Sequence, residues 1–222
     1  FIVILHIFKC YDIEDIDKYF TRNNKQPIIL VHGADANDAQ WLISYLYLKD
    51  DYDVYTVQLT NLKPNKNDDL EKIKLKLDNK IQYIIDNTKH KKINTSFHKI
   101  ILVGHSMGGL ICALSCEKYH KYIEKVITIN TPWNGITMLT CIKISAKYFN
   151  EMAKQSYILT KCQHILNDKN IPLIYVYNNH DICVYEDDAH PTHIKNSKRV
   201  VFGYGHASPI LFKKIWQKVG LI

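Results

Sequence analysis

Between Lys99 and Cys116 the chain passes from a short apolar run, Ile100-Ile101-Leu102-Val103, through Gly104-His105-Ser106-Met107-Gly108-Gly109, into Leu110-Ile111-Cys112-Ala113-Leu114. The first run has the brevity and β-branching of a buried parallel strand, and the second is long enough for a helix. A strand must therefore become a helix at Ser106. So sharp a turn holds its apex residue in strained dihedrals. The positions two before and two after it must lack side chains so that strand and helix can pass, and Gly104 and Gly108 meet that need. The Ser106 hydroxyl is then lifted clear of the sheet beside a helix N-terminus, whose free N–H groups and dipole favour developing negative charge. A nucleophile needs that placement.

The rest of the chain repeats the alternation of strand and helix. Pro27 leads into Ile28-Ile29-Leu30-Val31, a second buried strand ending at His32-Gly33-Ala34. Upstream, Ile13, Ile16 and Phe20 fall at helical spacing. Asp38 is expected to cap a helix over 39–48 whose buried face carries Trp41, Leu42, Tyr45 and Leu46. Residues 52–59 read as a strand. From Asn67 a long helix is expected, with Leu70, Ile73, Leu77, Ile81 and Ile84 as its apolar stripe and Lys72, Lys74, Lys76 and Lys80 away from it. Packing on a sheet is favoured over lying on a membrane for that stripe.

After the Ser106 helix, 126–129 reads as a strand running into Asn130-Thr131-Pro132-Trp133-Asn134-Gly135, followed by helical segments over 136–170. Strands are expected at 172–177 and 199–202. Ser208 as N-cap and Pro209 at the first helical position open a final helix with Leu211, Ile215, Trp216 and Val219. This order predicts an α/β fold with a mostly parallel sheet covered by helices on both faces. The loops after successive strands meet at one edge, where the chemistry is expected.

Composition narrows the partners. The chain has 222 residues, enough for one domain with a substantial core. A formal net charge of +7 comes from 29 Lys plus Arg, of which only Arg22 and Arg199 are Arg. The lysines are scattered rather than gathered on one face with aromatic platforms, which argues against nucleic acid; transient contact with an anionic lipid surface is the better use of the charge. Cys112 and Cys116, one helical turn apart, read as core residues. Cys10 and Cys183 stand alone, and Cys141 and Cys162 could clip one segment in an oxidising compartment. No cysteine has the spacing of a zinc site. The first eight residues are nearly all apolar and read as the end of a signal or anchor segment, or as an outer strand; eight residues are too few to span a membrane. The N-terminus is therefore expected to be incomplete and the chain soluble or peripheral. Asn94-Thr95-Ser96 is a glycosylation sequon.

The Gly-His-Ser-Met-Gly-Gly elbow, the His-Gly pair after the 28–31 strand and the Thr-Pro-x-x-Gly turn resemble the α/β-hydrolase family, and within it the lipases and esterases. The resemblance runs from Pro27 to the C-terminus. It implies residues 1–26 as an extension, a hydrolase domain over 27–222 and a short cap inserted at about 134–170. Trp133, Met138 and Phe149 are candidates to line an acyl pocket. It further implies the chain order serine, acid, histidine. Ser106 is then the nucleophile, His206 after the last strand the general base, and Asp181 after the penultimate strand its orienting partner. Two N–H donors must converge on the tetrahedral oxygen, and Met107 and Ala34 supply them.

Rivals exist. Asp187 and Asp188 also precede His206, and His190 and His193 could join His180 and nearby carboxylates in a metal site. For the His32 side chain a structural hydrogen bond is expected. The implied activity is hydrolysis of a carboxylic ester, an acyl or lipid ester foremost, with no cofactor. The same residues would serve a thioester, including one on acylated protein, and a non-catalytic binding protein could keep the fold.

Overall fold

The structure, a computed structural model, describes residues 16–59, 65, 67–90, 99–140, 146–203 and 205–222, with the side chains of 89, 90, 138 and 140 excepted. The expectations for the first eight residues, the Asn94 sequon, Cys10, Cys141 and the Met138 side chain lie outside what is described.

Six strands form one parallel sheet: β1 Gln26–Val31, β2 Tyr52–Val57, β3 Ile100–His105, β4 Ile123–Ile129, β5 Leu173–Tyr177 and β6 Ser197–Val201. Their order is β2-β1-β3-β4-β5-β6. Crossing from β2 over β1 to β3 reverses the direction in which the sheet grows. In an open parallel sheet that reversal parts the loops and leaves a crevice beyond the carboxyl ends of the two strands. His32-Gly33 leaves β1 there and Ser106 leaves β3.

Alternate residues of each strand feed two cores. Ile29, Val31, Ile100 and Leu102 point to one face; Ile28, Leu30, Ile101 and Val103 point to the other. Both sets are apolar because both faces are covered, so the strands read as unbroken hydrophobic runs. The first face carries α2 (Leu70–His90), α3 (Met107–Tyr119) and α5 (Tyr157–Asp168); the second carries α1 (Leu42–Leu48) and α7 (Lys213–Lys218). All five stripe residues of α2 are buried, so this helix packs on the sheet as expected. Helix α3 is buried on all sides through Cys116, which places Cys112 and Cys116 in the core.

Three local expectations are corrected. Asn37, not Asp38, caps the 38–41 turn by accepting from the Ala39 N–H at 3.1 Å. Asp38 is buried and accepts from the Ile16 N–H and the Thr56 hydroxyl instead, at 3.1 and 3.2 Å. Because 38–41 is a 3-10 turn, the helical phase shifts: Leu42 and Leu46 face solvent, while Trp41, Ser44, Tyr45 and Leu48 are buried. A 3-10 turn advances about 120° per residue against 100° in an α-helix, so a stripe counted at 3.6 from residue 39 is misplaced. The final helix is likewise broken, into a 3-10 turn over Ser208–Leu211 capped at Ala207 and α7 after an extended Phe212.

Of the segment expected as a cap, α5 packs on α3 within the first face; Ile158, Leu159, Cys162, Ile165 and Leu166 are buried there. What remains is short: a 3-10 turn at Thr137–Thr140 and α4 (Lys147–Glu151). No helix among the described residues is long and apolar enough to cross a membrane.

Two histidines at the carboxyl ends of β1 and β3 are sealed from water. His32 accepts the Leu59 N–H at Nε2, 2.9 Å away, so its Nδ1 carries the proton and donates to the Gly33 carbonyl at 2.7 Å. This is the structural role expected of it. Burial lowers its pKa from 6.5 to about 4, and burial together with the neighbouring His206 lowers that of His105 to about 3.

Two predictions follow from this architecture. Leu77→Ala, at a fully buried position of α2, should lower unfolding stability by about 2–5 kcal/mol in urea titration; a loss below that range would mean that the α2 stripe does not seal the core. Because His32 and His105 protonate more readily when unfolded, the unfolded chain binds more protons below pH 6.5. Stability is therefore full above that pH and falls as pH drops toward 4, by roughly 1.4 kcal/mol per pH unit for each ring. A urea midpoint unchanged between pH 7 and pH 5 would contradict the burial of these rings in neutral form.

Candidate active site

Ser106 occupies the apex between β3 and α3 with φ 52° and ψ −124°, a left-handed conformation that a side chain rarely adopts. Several contacts hold it there. Its N–H donates to the Ile129 carbonyl at 2.9 Å, and its carbonyl accepts from the Gly109 N–H at 3.0 Å and the Thr131 hydroxyl at 2.9 Å. The glycines are steric necessities. A Cβ on Gly104 would strike the backbone of Gly108 and Gly109, and one on Gly108 would strike the carbonyls of Val31 and His32. The loop after β1 lies equally close: a Cβ on Gly33 would sit 3.0 Å from the Ser106 Cβ. Ala34 follows that glycine, and Met107 is the first residue of α3, whose leading N–H groups have no partner within the helix.

Asp181 and His206 stand on the loops after β5 and β6, at the same edge. Asp181, fully buried, holds His206 Nδ1 at 2.6 Å through Oδ2, while its Oδ1 accepts from the N–H groups of Cys183 and Val184 at 2.7 and 3.0 Å. Three donors fix the carboxylate and leave Nδ1 as the protonated nitrogen, so Nε2 carries the lone pair. Among the described residues no hydrogen bond joins the Ser106 hydroxyl to His206, and the Ser106 side chain does not cap α3. The Asp181–His206 pair is thus assembled, and Ser106 is not yet bonded to it.

The rivals are otherwise engaged. Asp188, fully buried, accepts from the Thr137 N–H and hydroxyl at 3.0 and 2.6 Å and lies 3.4 Å from Lys154 Nζ, so it ties the 134–154 segment to the domain. Asp187 is exposed. His190 meets the Tyr175 hydroxyl at 2.7 Å, and His193 stacks on His164. His180, His190 and His193 are not gathered into a metal-ligating group among the described residues. Trp133 is buried in the first-face core, its indole N–H donating to Thr128 at 3.3 Å, and Phe149 is half-buried beside Tyr148.

Three further residues, given no role in the sequence reading, hold the His206 loop. The His206 carbonyl accepts from Asn130 Nδ2 at 2.6 Å and His105 Nε2 at 3.0 Å, and Asn178 Nδ2 donates to the Gly205 carbonyl at 2.9 Å. They stand at the carboxyl ends of β4, β3 and β5, so three adjacent strands each contribute one clamp. Their signal in the sequence is a polar residue directly closing an apolar strand. The His105 ring lies 4.9 Å from that of His206 and stays neutral because it is buried. It therefore adds no positive charge beside the base.

The fold recurs in solved structures. A Bacillus licheniformis lipase in its mature form superposes with a TM-score of 0.64 at 16% identity over 89% of this chain and 91% of its own. A lipase-esterase related protein from Clostridium acetobutylicum gives 0.64 at 19% identity over 91% and 97%. A thioesterase domain from the curacin biosynthetic pathway gives 0.64 at 14% identity over 90% and 92%. Among curated proteins, the 1-acylglycerol-3-phosphate O-acyltransferase ABHD5 of Rattus norvegicus and its Homo sapiens counterpart are each 24% identical over 115 residues, half of this chain. The chain spans only about 30% of the length of those relatives. The family model described as "Putative serine esterase (DUF676)" matches residues 21–178, which takes in the elbow and stops just short of Asp181. With that match over most of its length and this doubly covered parallel sheet, the chain belongs to the DUF676 serine esterase family and has the α/β-hydrolase fold.

Proposed function

We propose that the protein hydrolyses carboxylic esters, acyl or lipid esters foremost, through a covalent acyl-enzyme on Ser106. The observation that carries this reading is the pairing of a strained Ser106 elbow with a buried, three-fold anchored Asp181 that fixes the His206 tautomer. A serine hydroxyl needs a base within reach, and His206 presents Nε2 for that purpose once the Ser106 side chain turns toward it. Such limbs are commonly loose without substrate and tighten in the complex.

In the proposed cycle Ser106 Oγ attacks the ester carbonyl as His206 Nε2 takes its proton. Asp181 stabilises the imidazolium through Nδ1. The N–H groups of Met107 and Ala34 receive the oxyanion, each donor being worth on the order of 100-fold or more in rate. The imidazolium then protonates the leaving alcohol, and His206 activates water to release the acid. The short segment over 134–156, with Phe149 at its edge and Trp133 packed beneath the turn, is the proposed wall for the acyl chain, together with Met138. An acyl-lipid substrate is supported by the lipase-related neighbours and by the acylglycerol phosphate in the name of the curated relatives. The net charge of +7 suits transient contact with an anionic lipid surface.

The test is labelling with a fluorophosphonate, followed by turnover of p-nitrophenyl esters of increasing acyl length and of acyl thioesters. Labelling should be lost in Ser106→Ala. Asp181→Asn should keep the fold and lower kcat by about 10⁴-fold, because the His206 ring is then held in the wrong tautomer. Labelling that persists in Ser106→Ala would sink the assignment, and preference for thioesters would redirect the substrate class without changing the residues.

A further inference from the structure

Cys183 follows Asp181 by two residues, and its side chain takes no part in the chemistry above. Its thiol faces solvent, whereas Cys112, Cys116 and Cys162 are buried in the core. The ligand atoms of Asp181, Cys183 and His206 all lie within 4.8 Å of one another. A carboxylate oxygen, a sulfur and an imidazole nitrogen this close together match the donor set of a zinc site with three protein ligands and one water.

We propose that these three side chains form a site for Zn²⁺ or a similarly thiophilic divalent cation, and that filling it switches ester hydrolysis off. The switch rests on the function proposed above; the site rests on the geometry alone.

Zinc binds nitrogen and oxygen at about 2.0–2.2 Å and sulfur at about 2.3 Å, which sets tetrahedral ligand atoms roughly 3.3–3.8 Å apart. The Asp181 Oδ2 to His206 Nδ1 separation of 2.6 Å must therefore open by roughly 0.7 Å, and the Cys183 sulfur must close by up to about 1 Å. The site requires the exposed Cys183 and the partly buried His206 side chains to rotate by that much on binding. Asp181 Oδ1 stays on the Cys183 and Val184 N–H groups, so Oδ2 remains aimed at the ion.

Proton accounting explains the switch. A cysteine thiol is ordinarily protonated at neutral pH, so Cys183 gives one proton to solvent when it ligates. The imidazole stays neutral, but its proton leaves Nδ1, now bound to metal, and reappears on Nε2. Nε2 becomes a donor and no longer accepts the Ser106 proton. Nothing is oxidised or reduced, and chelation reverses the change. Mg²⁺ and Ca²⁺, which prefer oxygen ligands, do not fill such a site.

The test titrates Zn²⁺, with Cd²⁺ as a spectroscopic probe, into the protein and into Cys183→Ala. The parent should bind one ion with about one proton released, show a thiolate-to-cadmium absorption band, and lose turnover in step with occupancy until a chelator restores it. In Cys183→Ala the band should vanish, and the affinity for Zn²⁺ and its inhibition should each weaken at least about 10-fold, measured against that variant's own metal-free rate. Equal affinity in the two proteins overturns the site. Full occupancy with undiminished turnover overturns the switch. If no ester is turned over at all, the cadmium band and calorimetry still decide the site, so failure of the proposed function is told apart from failure of the metal site.

Discussion

The close crossing of β3 and α3 at Ser106 is the constraint on which the rest of the structure depends. To turn a parallel strand into a helix within one residue, the chain holds a non-glycine residue at φ 52° and removes the side chains at Gly104 and Gly108. A strained residue of this kind costs on the order of 1–3 kcal/mol and persists only where its surroundings over-determine it. The surroundings here do so. Helix α3 is buried on all sides through Cys116, β3 lies inside the sheet, and the Ser106 carbonyl is held by Gly109 and Thr131. The fully covered sheet therefore serves the site as much as the site decorates the sheet.

A second layer of polar contacts works at the same edge. The adjacent strands β3, β4 and β5 each end in a polar side chain aimed at the loop after β6: His105 and Asn130 at the His206 carbonyl, and Asn178 at the Gly205 carbonyl. The loop that carries His206 is thus positioned by its backbone. The imidazole itself is left with one strong partner, Asp181, and one free nitrogen. Burial keeps the neighbouring His105 neutral, so in the proposed cycle a positive charge on His206 would have the Asp181 carboxylate as its counterpart. Cys183 lies beside the same Asp181–His206 pair, so the proposed catalysis and the proposed metal site share one set of atoms.

How far the sequence could be read varies along the chain. Strands β1, β2, β3, β5 and β6 lie within two residues of where their apolar runs place them, β4 begins three residues earlier, and the α2 stripe is buried at every position named. These signals survive because a strand buried on both faces and a long amphipathic helix are each specified by many residues in register. Short elements fared worse. The turn at 38–41 and the break at Phe212 replace single helices by a 3-10 turn and a helix, and in each case the phase of the buried face follows tertiary contacts. Trp41 against Trp216, Phe20 stacked on Tyr45 and Ser44 bonded to the Ile210 carbonyl set that phase.

Taken by itself, the sequence determined the elbow, the parallel sheet around it and the membership of Ser106, Asp181 and His206 in one edge. Glycine spacing and the strand–helix alternation are local facts that leave little freedom. Tertiary structure alone decided which of three acidic residues meets His206. Asp181, Asp187 and Asp188 lie within eight positions of one another, and their roles separate only when the loop closes: Asp181 turns inward onto two backbone N–H groups, whereas Asp188 is consumed by Thr137 and Lys154. The proximity of Cys183 to His206, 23 positions apart in the chain, is of the same kind. Contacts between loops depend on how the sheet aligns the strand ends, and no spacing within a single loop encodes that alignment.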